Sequence, residues 1–181
     1  MKYTVSTRFK KTGVIFLFMI CGIFFMIKAD SVYAVDCSAP GTCPEIVSGL
    51  SAAVGAALDE SKNQLYFVEY NAGTLKRIDL PPRCGPGTTV PSCSTTIKNI
   101  ATGFSHPEDV QLDLAHDFAY VTTRDDHGTT GALWKVNIST GSKNMVTFNL
   151  GAPQQLFLDA VNNQAFTVGY DDGRLRRIDL T

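Results

Sequence analysis

Residues 57–80, ALDESKNQLYFVEYNAGTLKRIDL, align without a gap on residues 157–180, FLDAVNNQAFTVGYDDGRLRRIDL, and twelve of the twenty-four positions are identical. The shared residues include Leu58/Leu158, Asp59/Asp159, Asn63/Asn163, Val68/Val168, Tyr70/Tyr170 and the closing Leu-x-Arg-Ile-Asp-Leu. A looser third copy lies between them. Leu112-Asp113 stands for Leu58-Asp59, Ala119-Tyr120-Val121 for Leu65-Tyr66-Phe67, and Leu133 to Ile138 for Leu75 to Leu80. Self-similarity at a spacing of about 50 residues is the mark of a repeat architecture, in which one supersecondary unit recurs and neighbouring units bury each other's apolar faces.

Each unit reads as short strands. An inner run such as Val110–Leu114 reaches a polar turn, and a run rich in aromatic and β-branched residues follows (Leu65–Val68, Phe118–Thr122, Ala165–Val168). After a Gly- and Asp-bearing turn comes the alternating Leu-x-Arg-Ile-x-Leu run, then a fourth strand at Ile97–Ile100, ending at Gly103, and again at Met145–Phe148, ending at Gly151. Period-2 patterning between turn signals predicts antiparallel sheet. Four such strands per repeat are the signature of β-propeller blades, and no convincing helix follows the N-terminal segment.

The Leu-Asp pair, Tyr120-Val121-Thr122-Thr123 and the Leu-x-Arg-Ile-Asp run together resemble the NHL and YVTN-type repeat proteins, a broad group of propellers. The resemblance covers nearly all of residues 45–181 and implies an all-β fold. Blades are expected over residues 52–103, 104–150 and 151–181, preceded by a Cys-containing segment, residues 35–51. The third blade lacks an outer strand, whereas Glu45–Gly49 upstream of the first matches the pattern of Asn99–Gly103. Propellers generally close with four to eight blades. Two alternatives follow: a homodimer forming a six-bladed ring, each N-terminal strand completing the other chain's last blade, or a fragment of a longer protein.

Residues 1–34 read as a signal peptide. Lys2, Arg8, Lys10 and Lys11 precede the apolar run Val14–Ile27, and Val32-Tyr33-Ala34 supplies a small-residue cleavage pattern. Fourteen apolar residues span only ~21 Å as a helix, short of a bilayer core, so cleavage near Ala34 is favoured over a stable membrane anchor. The expected location is secreted or periplasmic. Cys37, Cys43, Cys84 and Cys93 agree with export; they allow three connectivities, and the Pro/Gly-rich intervals favour Cys37–Cys43 and Cys84–Cys93 disulfides over zinc ligation.

The whole chain holds 16 Lys/Arg and 17 Asp/Glu. Removing the five basic and one acidic residue of positions 1–34 leaves 11 and 16, a net charge of −5. Nucleic acid is therefore a poor partner. No phosphate-binding Gly-rich loop and no Gly-x-Ser-x-Gly elbow is present.

Candidate site residues lie where the copies disagree. Loops leading into the innermost strand and loops between the second and third strands share one face of a propeller. There blade two alone carries ionisable groups, His106, Glu108 and Asp109, and its neighbouring turn is lengthened to Arg124, Asp125, Asp126, His127, Gly128, Thr129 and Thr130. These residue types suit a divalent cation, calcium or zinc, or a polar ligand; Asp-Asp-His-Gly is equally a plain turn sequence. Trp134 and Tyr120 are expected in the core, His116 in solvent, and the recurring Arg77/Arg177 and Asp79/Asp179 in structural roles. Two functions remain open: a binding module for a protein, glycan or small molecule, and a metal-dependent hydrolase or lactonase resembling gluconolactonase-like propellers. The chain departs from the second pattern, because Gly55 and Gln155 stand where inner-strand acidic ligands are wanted.

Overall fold

The computed structural model describes residues 46–80, 96–125 and 130–180. Within them lie eleven strands and no helix. The first sheet comprises β1 (Ala53–Asp59), β2 (Gln64–Glu69), β3 (Thr74–Asp79) and β4 (Ile97–Thr102); the second β5 (Pro107–Asp113), β6 (Phe118–Arg124), β7 (Gly131–Asn137) and β8 (Lys143–Phe148); the third β9 (Pro153–Asp159), β10 (Gln164–Gly169) and β11 (Leu175–Asp179). Each sheet is an antiparallel meander in chain order, and β1, β5 and β9 are packed side by side as the inner strands. These are three propeller-type blades. Cys37, Cys43, Cys84, Cys93, Asp126, His127 and the signal segment fall outside the described residues.

The repeat in sequence is a repeat in backbone. Asp59, Asp113 and Asp159 end the inner strands, and their carboxylates hold the following turns: Asp59 accepts from Ser61 Oγ at 2.6 Å, Asp159 from Asn162 Nδ2 at 2.7 Å, and Asp113 Oδ2 lies 2.8 Å from Nδ1 of the exposed His116. Each turn closes on a left-handed residue, Asn63, Asp117 or Asn163, at φ 53°, 60° and 52°. Asn and Asp tolerate that region better than other side chains with a Cβ. Their carbonyls then accept from Leu80, Ile138 and Leu180, all at 2.9 Å. The fourth strand of blade two departs from the expected limit. It stops at Phe148, and the left-handed position that Gly103 fills after β4 (φ 72°) is taken by Asn149 (φ 60°). Gly151, two residues on, is left-handed as well (φ 64°), and a Cβ there would lie 2.5 Å from the Asp172 carboxylate.

Two cores form, one per seam between blades. Tyr66, Val68, Leu75 and Phe104 of blade one meet Val110, Ala119, Val121 and Val136 of blade two; Tyr120, Leu133 and Leu150 of blade two meet Leu156, Ala165 and Ile178 of blade three. Alternation along each strand thus sends one set of side chains to each neighbour. Tyr120 is buried as expected, whereas Trp134 is half-buried against the first core. Lys143 fastens the first seam from outside: its Nζ donates to the carbonyls of Thr102 and Gly103 at 2.6 Å each and lies 4.1 Å above the Phe104 ring.

Blade one also contains a buried carboxylate. Glu69, 2% exposed, accepts from Ser51 N at 3.0 Å and Thr74 Oγ1 at 2.9 Å, with Lys76 Nζ at 2.7 Å. Burial alone would push its pKa up, but Lys76 and the two hydrogen bonds outweigh it and hold it below the ordinary 4.5. A depressed folded-state value means stability present above the unfolded pKa and lost as pH falls through the folded one. Glu69→Gln is expected to lower stability by about 2 kcal/mol at pH 6, and the gap to wild type should narrow towards pH 3. Urea midpoints at the two pH values measure this; a gap that is constant with pH would show that the Glu69 charge is not what holds the network.

Candidate functional site

The site is assembled at the rim where the loop after β2 meets the segment leading into β5. Equivalent backbone bonds pin all three such corners: Tyr70 N to Ala52 O at 2.9 Å, Arg124 N to His106 O at 3.0 Å, and Tyr170 N to Ala152 O at 3.1 Å. The accepting residues are all left-handed, Ala52 at φ 54°, His106 at 38° and Ala152 at 49°. Tyr70, Arg124 and Tyr170 are therefore one position of the repeat, and at the first seam the Tyr70 side chain reaches His106 of blade two.

At the first seam this brings four unlike groups together, Tyr70, His106, Arg124 and Glu108. The Tyr70 ring stacks against His106 with centroids 4.5 Å apart and 31° between planes. Arg124 donates from Nη2 to the Tyr70 hydroxyl at 2.7 Å, with its guanidinium carbon 5.3 Å from the ring centroid. Its Nε lies 2.9 Å from Glu108 Oε1. Burial raises the Glu108 pKa, against the pull of Arg124 and His106. For Arg124 burial works against the charge, but the Tyr70 hydroxyl, Glu108 and Asp171 outweigh it and hold its pKa above the ordinary value.

Of the residues expected at the rim, His106, Glu108 and Arg124 converge. Asp109 does not join them. Its Oδ1 accepts from Val110 N at 2.8 Å and its Oδ2 from Leu156 N, in blade three, at 2.9 Å. It serves as a pin between inner strands, and burial raises its pKa against the help of those two N–H groups. Asp125 closes its own loop, receiving Thr130 Oγ1 at 2.9 Å while its N–H donates to Thr130 O at 3.0 Å. Among the described residues no three His, Cys, Asp or Glu side chains are grouped to hold a metal ion. The residues that fit worst are the two carboxylates: Glu108 is occupied by Arg124, and both Asp109 oxygens by backbone.

Tyr70 and the groove beside Arg124 were not legible from the list of ionisable residues. The groove is shallow, of about 220 Å³, and has Trp134, Met145 and Phe148 along one wall and Arg124, Asp125 and Thr130 at its polar end. Trp134 is fixed by its Nε1 donating to Thr123 Oγ1 at 3.0 Å and by an edge-on contact with Phe104, centroids 6.1 Å apart. Met145 and Phe148 are 50% and 65% exposed. The signal that points to Tyr70 is the alignment of Tyr70 with Arg124, since equivalent loops of adjacent blades abut.

The fold and site define the class of protein: an all-β, propeller-type repeat protein with a mixed apolar and cationic groove on blade two. No family model matches the chain, and no characterised protein matches it in sequence. Similar solved structures include a proposed 6-phosphogluconolactonase from Bacteroides fragilis, at 15% identity over 74% of this chain and 40% of that one, with a TM-score of 0.46. A structure in a nidogen/laminin complex is 14% identical over 71% and 60% of the two chains, TM-score 0.35. The calcium-binding protein regucalcin from Agrobacterium tumefaciens is 12% identical over 71% and 59%, TM-score 0.32. The chain thus spans 40 to 60% of the length of these structures.

Proposed function

We propose that this chain is a binding module of the NHL/YVTN type, exported from the cytoplasm, which seats a ligand in the groove between Arg124 and Phe148. The observation that carries the proposal is the pairing of an apolar wall, Trp134, Met145 and Phe148, with the polar end at Arg124, Asp125 and Thr130. A concave surface of that kind takes a molecule with one apolar face and one hydrogen-bonding head, such as a sugar ring or an apolar side chain flanked by peptide groups. The committed state of Glu108 and Asp109 favours binding over cation-assisted hydrolysis. Export rests on the N-terminal charge and hydropathy pattern, and N-terminal sequencing of the mature protein should begin at Val35.

The groove is testable because its single tryptophan, Trp134, is the only one in the chain. Screening defined oligosaccharides and short peptides by Trp134 fluorescence should find ligands whose affinity falls at least about tenfold in Phe148→Asp, the effect of losing about 1.4 kcal/mol. Phe148 is largely exposed, so the fold should be retained by circular dichroism. Ligands that bind wild type and Phe148→Asp equally would place the seat elsewhere.

A further inference from the structure

We propose that Met145 is an oxidation site, and that its conversion to the sulfoxide by a hydroperoxide turns the apolar wall of the groove polar while leaving the sheet that carries it intact; its effect on ligands rests on the groove reading above. The chain has four methionines, and Met1, Met19 and Met26 all fall within residues 1–34, so Met145 is the only one beyond them. It is 50% exposed and lines the groove with Trp134 and Phe148. A bulge sets it there. In the pairing of β7 with β8, Trp134 faces Met145 and Ala132 faces Phe148, and the register shifts between Leu133 and Trp134. Trp134 and Ala132, two apart, share a face of β7, so the extra residue of β8 brings Met145 and Phe148, three apart, to that same face. Directly opposed residues on antiparallel strands have their Cβ atoms about 5 Å apart, which places Met145 beside Trp134.

Blade one shows what folding asks of this position. It has the same bulge, between Leu75 and Lys76, and there Lys76 faces Asn99 and Thr74 faces Thr102. Lys76, Asn99 and Thr102 thus stand where blade two has Trp134, Met145 and Phe148, and both Asn99 and Thr102 are exposed. The blade accepts a polar side chain at the Met145 position, so the apolar wall serves the groove and the sheet tolerates its loss. The chemistry is a two-electron oxygen transfer. A sulfur lone pair attacks one oxygen of hydrogen peroxide; the S–O bond forms as the O–O bond breaks, the proton on the transferred oxygen passes to the departing hydroxide, and water leaves. Sulfur is oxidised and the peroxide reduced. The product is polar and chiral where the thioether was apolar. A polar group pressed against an apolar ligand face loses water without a partner, so oxidation opposes seating in the groove.

Trp134, the single tryptophan, reports the change without any ligand. The full chain treated with hydrogen peroxide should gain one oxygen on the peptide that contains Met145, read by mass. Its emission should shift to the red and its quenching by acrylamide should rise, while the urea midpoint stays that of untreated protein. Met145→Leu should keep its emission and quenching through the same treatment, which excludes the cysteines as the source. Methionine sulfoxide reductases for the two epimers should restore the wild-type emission. Oligosaccharides or peptides that bind in the Trp134 screen should bind the oxidised chain about tenfold more weakly. Met145 left intact while added free methionine is consumed, an oxidised chain with unchanged emission and quenching, a lowered urea midpoint, or equal ligand affinity would each overturn the proposal. The mass, emission and midpoint readouts use no ligand, so they fail independently of the Phe148→Asp comparison on which the seat itself depends.

Discussion

Gly55→Ala is expected to destabilise the protein by about 3 kcal/mol, the upper range for forcing extra atoms into a filled site. The added Cβ would stand 2.4 Å from both Cα and Oδ1 of Asp109 and 2.7 Å from Glu108 O. Two of those three are backbone atoms of β5, so no rotamer change relieves the contact; the inner strand itself must retreat. β5 is held on its other side to β9 through the bond from Leu156 N to Asp109 Oδ2, at 2.9 Å. Displacing it strains both seams together. The sign of the effect is diagnostic. At an unstrained position, replacing Gly by Ala stabilises by about 0.4–1 kcal/mol through the unfolded chain. A lowered urea midpoint for Gly55→Ala supports close approach of β1 to β5, and a raised one refutes it. The same crowding explains why Gly55 stands where Asp109 and Gln155 carry side chains: the pin from blade two occupies the space.

The blade was legible in the sequence because its signals are local and threefold. Leu-Asp ends a strand, Asn or Asp takes a left-handed turn, and alternation assigns faces, so sheet order could be read without knowing how blades meet. What lies between blades was not legible, because it depends on which loops abut. Asp109 read as a candidate cation ligand from its type and position, yet the edge strand beside it offers N–H groups with no ladder partner, and satisfying them governs where the carboxylate goes. Tyr70 read only as a position shared with Tyr170, although the approach of its loop to blade two brings it to His106 and Arg124. Trp134 read as core; half of it is, and the other half forms the groove wall, because Met145 and Phe148 on the outer strand leave its rim open. Positions that repeat announced structure, and the site arose where unlike residues fill one repeated position.

Phe104→Ala is expected to carry the largest loss, about 4 kcal/mol, within the range for deleting a buried phenylalanine. Phe104 is 6% exposed and lies at the centre of the first seam. Its ring meets Trp134 at 81°, and Lys143 Nζ sits 4.1 Å from its centroid. Burial already lowers the Lys143 pKa, so the ring face and the two carbonyls it bonds are its compensation for lost water. Truncation removes packing for Trp134 and the aromatic face for Lys143 in one step. Phe104→Leu separates the contributions: it keeps most of the volume and should cost about 1.5 kcal/mol, the usual limit for a near-isosteric apolar exchange. Urea unfolding followed by Trp134 emission reads both quantities, since loosening of the seam should also shift the native emission to the red. If Phe104→Ala unfolds with the wild-type midpoint and native emission is unchanged, blades one and two do not meet across this ring, and the groove that depends on Trp134 loses its support.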